Sequence, residues 1–112
     1  MLGIDLLATE RVSKLYKREW YAAFWMNPDE RSHVESKPNS IESAAAVIAA
    51  KEAVMKASGR GFQQGILPRE ITVDWSSHGA PSAELDGTHY FLSLSHSDGL
   101  AIAVAITSED TQ

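Results

Sequence analysis

Ser40-Ile41-Glu42-Ser43-Ala44-Ala45-Ala46-Val47-Ile48-Ala49-Ala50-Lys51-Glu52-Ala53-Val54-Met55-Lys56-Ala57-Ser58 reads as one long helix. Ser40 can cap it, and Gly59-Arg60-Gly61 supplies a stop and a loop. Its only polar members after Ser40 are Glu42, Ser43, Lys51, Glu52, Lys56 and Ser58. At about 100° per residue, Ile41, Ala45, Ile48 and Glu52 share one side, and Val47, Ala50, Val54 and Ala57 take the opposite one. A helix apolar on both sides belongs inside a fold, with Glu52 at the edge of the core. A half-buried carboxylate there needs a cation, a metal or a shared proton.

Upstream, Met1 to Leu7 alternates as a short strand, with Leu2, Ile4 and Leu6 on one face and Gly3, Asp5 and Leu7 on the other. Thr9 can cap a helix running to about Trp25, with Arg11, Lys14 and Arg18 along one side. Asn27-Pro28-Asp29-Glu30 is a helix start with a box-like cap, and Lys37-Pro38-Asn39 ends that helix early. Downstream, Ile71, Val73 and Trp75 alternate as a strand, and Tyr90 to Ser95 forms another. The last strand carries Leu100, Ile102, Val104 and Ile106 on one face and Ala101, Ala103 and Ala105 on the other. Those alanines would let a helix approach closely. Turns fall at Ser76-Gly79, Asp86-Gly87 and Ser97-Asp98-Gly99. Helices first and antiparallel strands later predict an α+β fold, helices packed on an antiparallel sheet, in a single domain over residues 1–112.

Composition narrows the function. Of 112 residues, 44% are hydrophobic and 22% charged, which excludes a disordered chain. No run approaches the roughly 18 apolar residues of a membrane span. An acid as early as Asp5 argues against a secretory leader, and the expected compartment is the cytoplasm. The absence of cysteine removes disulfides, thiolate zinc sites and cysteine nucleophiles. A net charge of −5 argues against a nucleic-acid partner.

Several residue sets could carry chemistry. Glu52 and Lys56, four apart, can be a plain helix ion pair, or a metal carboxylate and a phosphate-binding lysine. Asp5 is an uncommon mid-strand residue, either solvent-facing or a hard-metal ligand. With Glu52 it would suffice for Mg²⁺, which takes one or two protein carboxylates and completes its octahedron with water and phosphates. Ser93-Leu94-Ser95-His96-Ser97-Asp98 suggests a hydrolase at first sight, but neighbours on a strand point to opposite faces and no G-x-S-x-G elbow exists. The Gly59-Gly61 loop follows a helix, unlike phosphate loops that precede one. Arg11, Lys14 and Arg18 are either a solvated stripe or a docking edge for an acidic partner.

Three blocks together, Gly3-Ile4-Asp5-Leu6, Ala49-Ala50-Lys51-Glu52-Ala53-Val54-Met55-Lys56-Ala57 and Ser93-Leu94-Ser95-His96, resemble the holo-acyl-carrier-protein synthases of the 4′-phosphopantetheinyl transferase superfamily. Met26-Asn27-Pro28-Asp29-Glu30 is similar to the F-T-P-x-E helix start of that family. The resemblance runs over nearly the whole chain, in order. It implies transfer of the phosphopantetheine arm of coenzyme A to a serine of an apo acyl or peptidyl carrier protein, with adenosine 3′,5′-bisphosphate released. It implies Mg²⁺ and a homotrimer with active sites between subunits. It makes Asp5 and Glu52 metal ligands, and places Lys56 near the phosphates. Ser95 and His96 become coenzyme A contacts from the S-x-S-H block, and Lys51, Gly59 and Gly61 shape the nucleotide pocket. Arg11, Lys14 and Arg18 become the dock for an acidic carrier of fatty-acid, polyketide or peptide synthesis. The proton acceptor stays open among Glu52, a metal-bound water and another base.

Two positions depart from the family pattern. Val47 stands where the family shows arginine, and Gly79-Ala80-Pro81 lacks the cation of G-K-P or G-R-P. Each lost charge-assisted hydrogen bond is worth about 1.5–3 kcal/mol, roughly ten- to a hundredfold in coenzyme A affinity. These losses define the alternative, a degenerate carrier-binding or structural module within a larger synthase.

Overall fold

The computed structural model describes residues 1–107. The long helix, α4 (Ser40–Ser58), is capped by Asn39 rather than Ser40: the Asn39 side chain accepts the Glu42 N–H at 3.1 Å. It closes on Gly59, whose φ of 71° lies in the left-handed region that glycine adopts without strain. Between Ala44 and Ala57 every residue except Glu52 and Lys56 is buried.

A five-stranded antiparallel sheet supports it: β1 (Leu2–Ala8), β2 (Thr72–Trp75), β3 (Pro81–Leu85), β4 (Thr88–Ser97) and β5 (Leu100–Thr107), in the order β1-β5-β4-β3-β2. Asp86-Gly87 and Asp98-Gly99 make the two tight hairpin turns, all four residues at positive φ as mirror-image turns require. Strand β3 lies between two turn signals and was not expected. It opens on Pro81, and its small residues Ser82 and Ala83 carry little strand propensity.

The sheet presents its small-residue face to α4. Gly3, Asp5 and Leu7 of β1 lie opposite Ala105, Ala103 and Ala101 of β5, and all six are buried. At Gly3 a Cβ would fall 1.9 Å from the Ala53 carbonyl oxygen and 2.7 Å from the Ala57 nitrogen, so the helix backbone rests on the strand. The other face is apolar and open: Leu2, Ile4 and Leu6 stand 58, 55 and 58% exposed beside Leu100, Ile102 and Phe91.

The expected helix from Thr9 to Trp25 is two helices, α1 (Thr9–Leu15) and α2 (Glu19–Trp25), with Ala8 and not Thr9 at the cap position of the first. In one straight helix Tyr21 would point about 180° away from Val12. The break across Tyr16 to Arg18 turns Tyr21 and Ala22 into the same core as Val12. Helix α3 (Pro28–Glu35) begins with the expected capping box: Asn27 Oδ1 accepts the Glu30 N–H and Glu30 Oε1 accepts the Asn27 N–H, each at 2.9 Å. Among the described residues no helix is long and apolar enough to cross a membrane.

Gly3→Ala forces α4 off the sheet. Its expected cost is about 3 kcal/mol or more, at the top of the range for overpacking. An unchanged urea midpoint would refute the close seat of α4 on β1.

Candidate active site

The seam between β1 and α4 brings Asp5, Glu52 and Lys56 together. Asp5 points from mid-strand toward the helix and is buried. Lys56 Nζ donates to Asp5 Oδ1 at 2.8 Å and to the Ile4 carbonyl at 3.1 Å. The expected four-residue pair of Lys56 with Glu52 is therefore not the contact made; the lysine reaches across to the strand. Asp5 Oδ2 is buried without a hydrogen-bond partner. Glu52, one turn before Lys56 and half-buried, makes no hydrogen bond or ion pair among the described residues.

Electrostatics follows from this placement. Burial and then the charge of Asp5 raise the Glu52 carboxyl above its ordinary pKa, against opposing pulls from Lys56 and Arg11. Lys56 is held above the usual lysine value, first by its hydrogen bond to Asp5. When all three are ionised the group carries one more negative charge than positive. A cation between the orphaned Asp5 oxygen and Glu52 would satisfy both. Among the described residues no three His, Cys, Asp or Glu side chains form a metal cluster. The two carboxylates present fit a hard divalent ion such as Mg²⁺, which takes one or two protein carboxylates, keeps waters and binds substrate phosphates.

Beside Glu52 opens a cavity of about 250 Å³ walled by Leu7, Leu15, Tyr21, Trp25, Ile48 and Phe62, with Arg11 at its edge. Phe62 arrives by way of the glycine loop and stacks on Phe24 at 6.0 Å. Gly59 acts as the helix stop, and a Cβ there would meet nothing within 4 Å; the Gly61 N–H donates to Gln64 Oε1 at 2.7 Å. Neither glycine lines this cavity. Their contribution is to swing Phe62 into it.

His96 lies elsewhere. Ser95 is exposed on the outer sheet face, so it and His96 are not a nucleophile and base. His96 Nδ1 sits 3.1 Å from Glu42 Oε2. It joins His33, Lys37, Ser43, Ala46, Val47, Trp75, Gly79 and Leu94 around a second pocket of about 260 Å³. His33 stacks flat on Trp75, centroids 3.6 Å apart and planes within 10°. Val47 and Glu52 project about 140° apart on α4, so the two pockets open on opposite sides of one helix. The sequence reading did not single out His33, Lys37 or Trp75. His33 and Lys37 lie four apart in α3 and the turn after it, Trp75 comes from β2, and no spacing along the chain links the two segments.

On α1, Arg11 and Lys14 are exposed and share a recess with Leu15, while Arg18 lies past the helix break. The expected three-residue stripe is thus two residues and an outlier. Arg11 borders both this recess and the cavity at Glu52.

Residues 1–105 match the family model of the 4′-phosphopantetheinyl transferase superfamily. The chain belongs to that superfamily. Among curated relatives, the holo-[acyl-carrier-protein] synthase of Aliarcobacter butzleri is 34% identical over 95% of each chain, and that of Verminephrobacter eiseniae is 31% identical over 94% of this chain and 90% of the relative. Among solved structures, the Helicobacter pylori holo-[acyl-carrier-protein] synthase in complex with coenzyme A superposes with a TM-score of 0.86 at 27% identity, covering 96% of this chain and all of that one. The Bacillus anthracis synthase in complex with CoA (3′,5′-ADP) gives 0.84 at 27% identity, covering 95 and 93%.

Within this transferase fold the A-A-K-E-A-x-x-K-A block divides its work. Glu52 and Lys56 face the seam, whereas Lys51 turns into the protein interior. It is fully buried, donating to Glu30 Oε1 at 2.6 Å and to the Pro68 carbonyl at 3.0 Å. Burial pushes its pKa down, and Glu30 pulls it back up. Glu30 Oε2 accepts the Val73 N–H at 2.7 Å, so this pair ties α3, α4 and β2 together. Lys51→Met strands a buried carboxylate and should cost about 3–5 kcal/mol. Adding Glu30→Leu should recover part of that loss, with a coupling of about 2 kcal/mol in a urea-melt cycle. Strict additivity would show the pair to be no energetic unit.

Proposed function

We propose that the protein transfers the 4′-phosphopantetheine of coenzyme A to a serine hydroxyl of an apo acyl carrier protein. The observation that carries this reading is the orphaned buried oxygen of Asp5 beside Glu52, with Lys56 fixed at the same carboxylate. Asp5 and Glu52 would hold Mg²⁺, which when bound supplies Lewis-acid neutralisation of the pyrophosphate. Phosphoryl transfer asks mainly for positioning and charge stabilisation, and the nucleophile belongs to the partner. The serine oxygen forms the new bond to the pantetheine-side phosphorus. The phosphoanhydride bond breaks, adenosine 3′,5′-bisphosphate departs, and the hydroxyl proton ends in solvent. Lys56 offsets the charge gathering on the leaving bisphosphate. The apolar cavity beside Glu52 suits the pantetheine arm, and Arg11 and Lys14 offer an acidic carrier a cationic edge next to it.

The expected experiment is intact-mass analysis of an apo carrier after incubation with coenzyme A, Mg²⁺ and this protein. A phosphopantetheine gain that disappears with EDTA is the expected result. Asp5→Asn and Glu52→Gln should each lower the rate by about a hundredfold or more with the fold intact. No gain on fatty-acid, polyketide and peptidyl carriers alike would leave the carrier-binding module as the surviving reading.

A homotrimer accompanies this reading. Leu2, Ile4, Leu6 and Ile102 form an outward apolar face that a lone chain leaves in water. The pockets on opposite sides of α4 can serve one substrate if neighbouring copies each contribute one. Ile102→Glu, on the sheet face opposite the one that carries Asp5, should yield monomers in sedimentation and lose transfer. A fully active monomer would refute the shared site.

A further inference from the structure

We propose that Glu30, acting through Lys51, is a positioning residue for the transfer reaction: the buried pair fixes the rotation of α4 and so the place of the Glu52 carboxylate opposite Asp5. This rests on the phosphopantetheine-transfer reading and goes beyond it, because it gives the pair a share in the rate and not only in the stability.

Glu52 does not hold itself in place. It makes no hydrogen bond or ion pair among the described residues, so its carboxylate goes where α4 puts it. The contact of α4 with the sheet does not set that place finely. It runs through Gly3, Ala53 and Ala57, with Ala101, Ala103 and Ala105 on the same buried face of the sheet. Such contacts are non-directional, and without side-chain ridges nothing in them stops a small rotation. Lys56 reaches Asp5, but from an exposed and flexible stem that follows such a rotation.

The directional bonds lie on the neighbouring residue. Lys51 is fully buried and projects about 100° from Glu52, into the junction of α3, α4 and β2. Its ammonium donates to Glu30 Oε1 at 2.6 Å and to the carbonyl of Pro68, in the turn that follows the glycine loop, at 3.0 Å. Glu30 is itself held by the Asn27 N–H at 2.9 Å and the Val73 N–H at 2.7 Å. None of these anchors belongs to α4, so together they reference the helix to the rest of the fold. Stability alone does not call for this arrangement, since well-packed hydrocarbon is often as stable as a buried ion pair. Geometry does. At the roughly 5–6 Å radius of the side-chain ends, a turn of about 10° in α4 carries a carboxylate about 1 Å. A misplacement of about 1 Å at a reacting centre costs about a hundredfold in rate.

The test is the double variant Lys51→Met with Glu30→Gln. It strands no charge, and the amide oxygen at position 30 can still accept the Val73 N–H, but the bond to α4 is gone. The measurements are the urea midpoint, kcat and KM for coenzyme A with an apo carrier, and Mn²⁺ affinity by electron paramagnetic resonance with coenzyme A and no carrier. The expected protein is folded and keeps its KM for coenzyme A, while kcat falls and the Mn²⁺ dissociation constant rises by about tenfold or more. Glu30→Asp is the second variant, and it decides the matter should the first fail to fold. It keeps both charges but shortens the arm by one methylene, and it should move kcat and Mn²⁺ affinity in the same direction by a smaller factor. A folded variant with both values unchanged, or with only the KM for coenzyme A raised, overturns the positioning role alone. So does a loss of kcat no larger than the loss of folded protein. No transfer by the unaltered protein overturns the function reading and this inference with it.

Discussion

The seat of α4 on β1 and β5 is the constraint on which the site depends. Side chains on a sheet face normally hold a helix about 10 Å away, and the cost of closer approach is steric. Here Gly3 and three alanines of β5 remove the obstacle, and Ala53 and Ala57 remove it from the helix side. The backbone of α4 then lies against the strand, and Asp5 comes within hydrogen-bond reach of Lys56. A side chain at residue 3 would leave Asp5 and Glu52 in place in the sequence but apart in space.

A second interaction sets the register of that helix. Glu30 accepts hydrogen bonds from Asn27, Lys51 and Val73 while buried at the junction of α3, α4 and β2. A buried ion pair is weak evidence for net stability, because desolvation opposes the Coulombic attraction. Its three acceptor bonds are directional, however, and they tolerate only one rotation and one height of α4. The residue after Lys51 is Glu52, so the pair that fixes the helix also aims the carboxylate at the seam.

The parts legible in the sequence are those with local causes. The box at Asn27 and Glu30, the Asp-Gly hairpins and the apolar run of α4 all follow from contacts within a few residues, and each formed as expected. The alanine face of β5 could be recognised because its period is two. The break in the first helix was illegible because no glycine or proline marks it; only the need to bury both Val12 and Tyr21 does. The burial of Lys51 against Glu30 was not legible, because nothing nearby announces a partner 21 residues away. The Asp5–Lys56 contact spans 51 residues, and the His33–Trp75 stack joins α3 to β2. Spacing along a chain carries no information about such pairs until the fold is known.

The two sides of α4 differ in how freely they can change. On the side of Glu52, the carboxylates and the ammonium are mutually dependent: removing Lys56 leaves Asp5 uncompensated, and moving Asp5 frees Lys56. On the side of Val47, the lining comes from α3, β2 and β4 as well as α4, and among the described residues no ion pair crosses to the seam. A substitution there alters what the pocket recognises without disturbing the charges at which the phosphoanhydride would break.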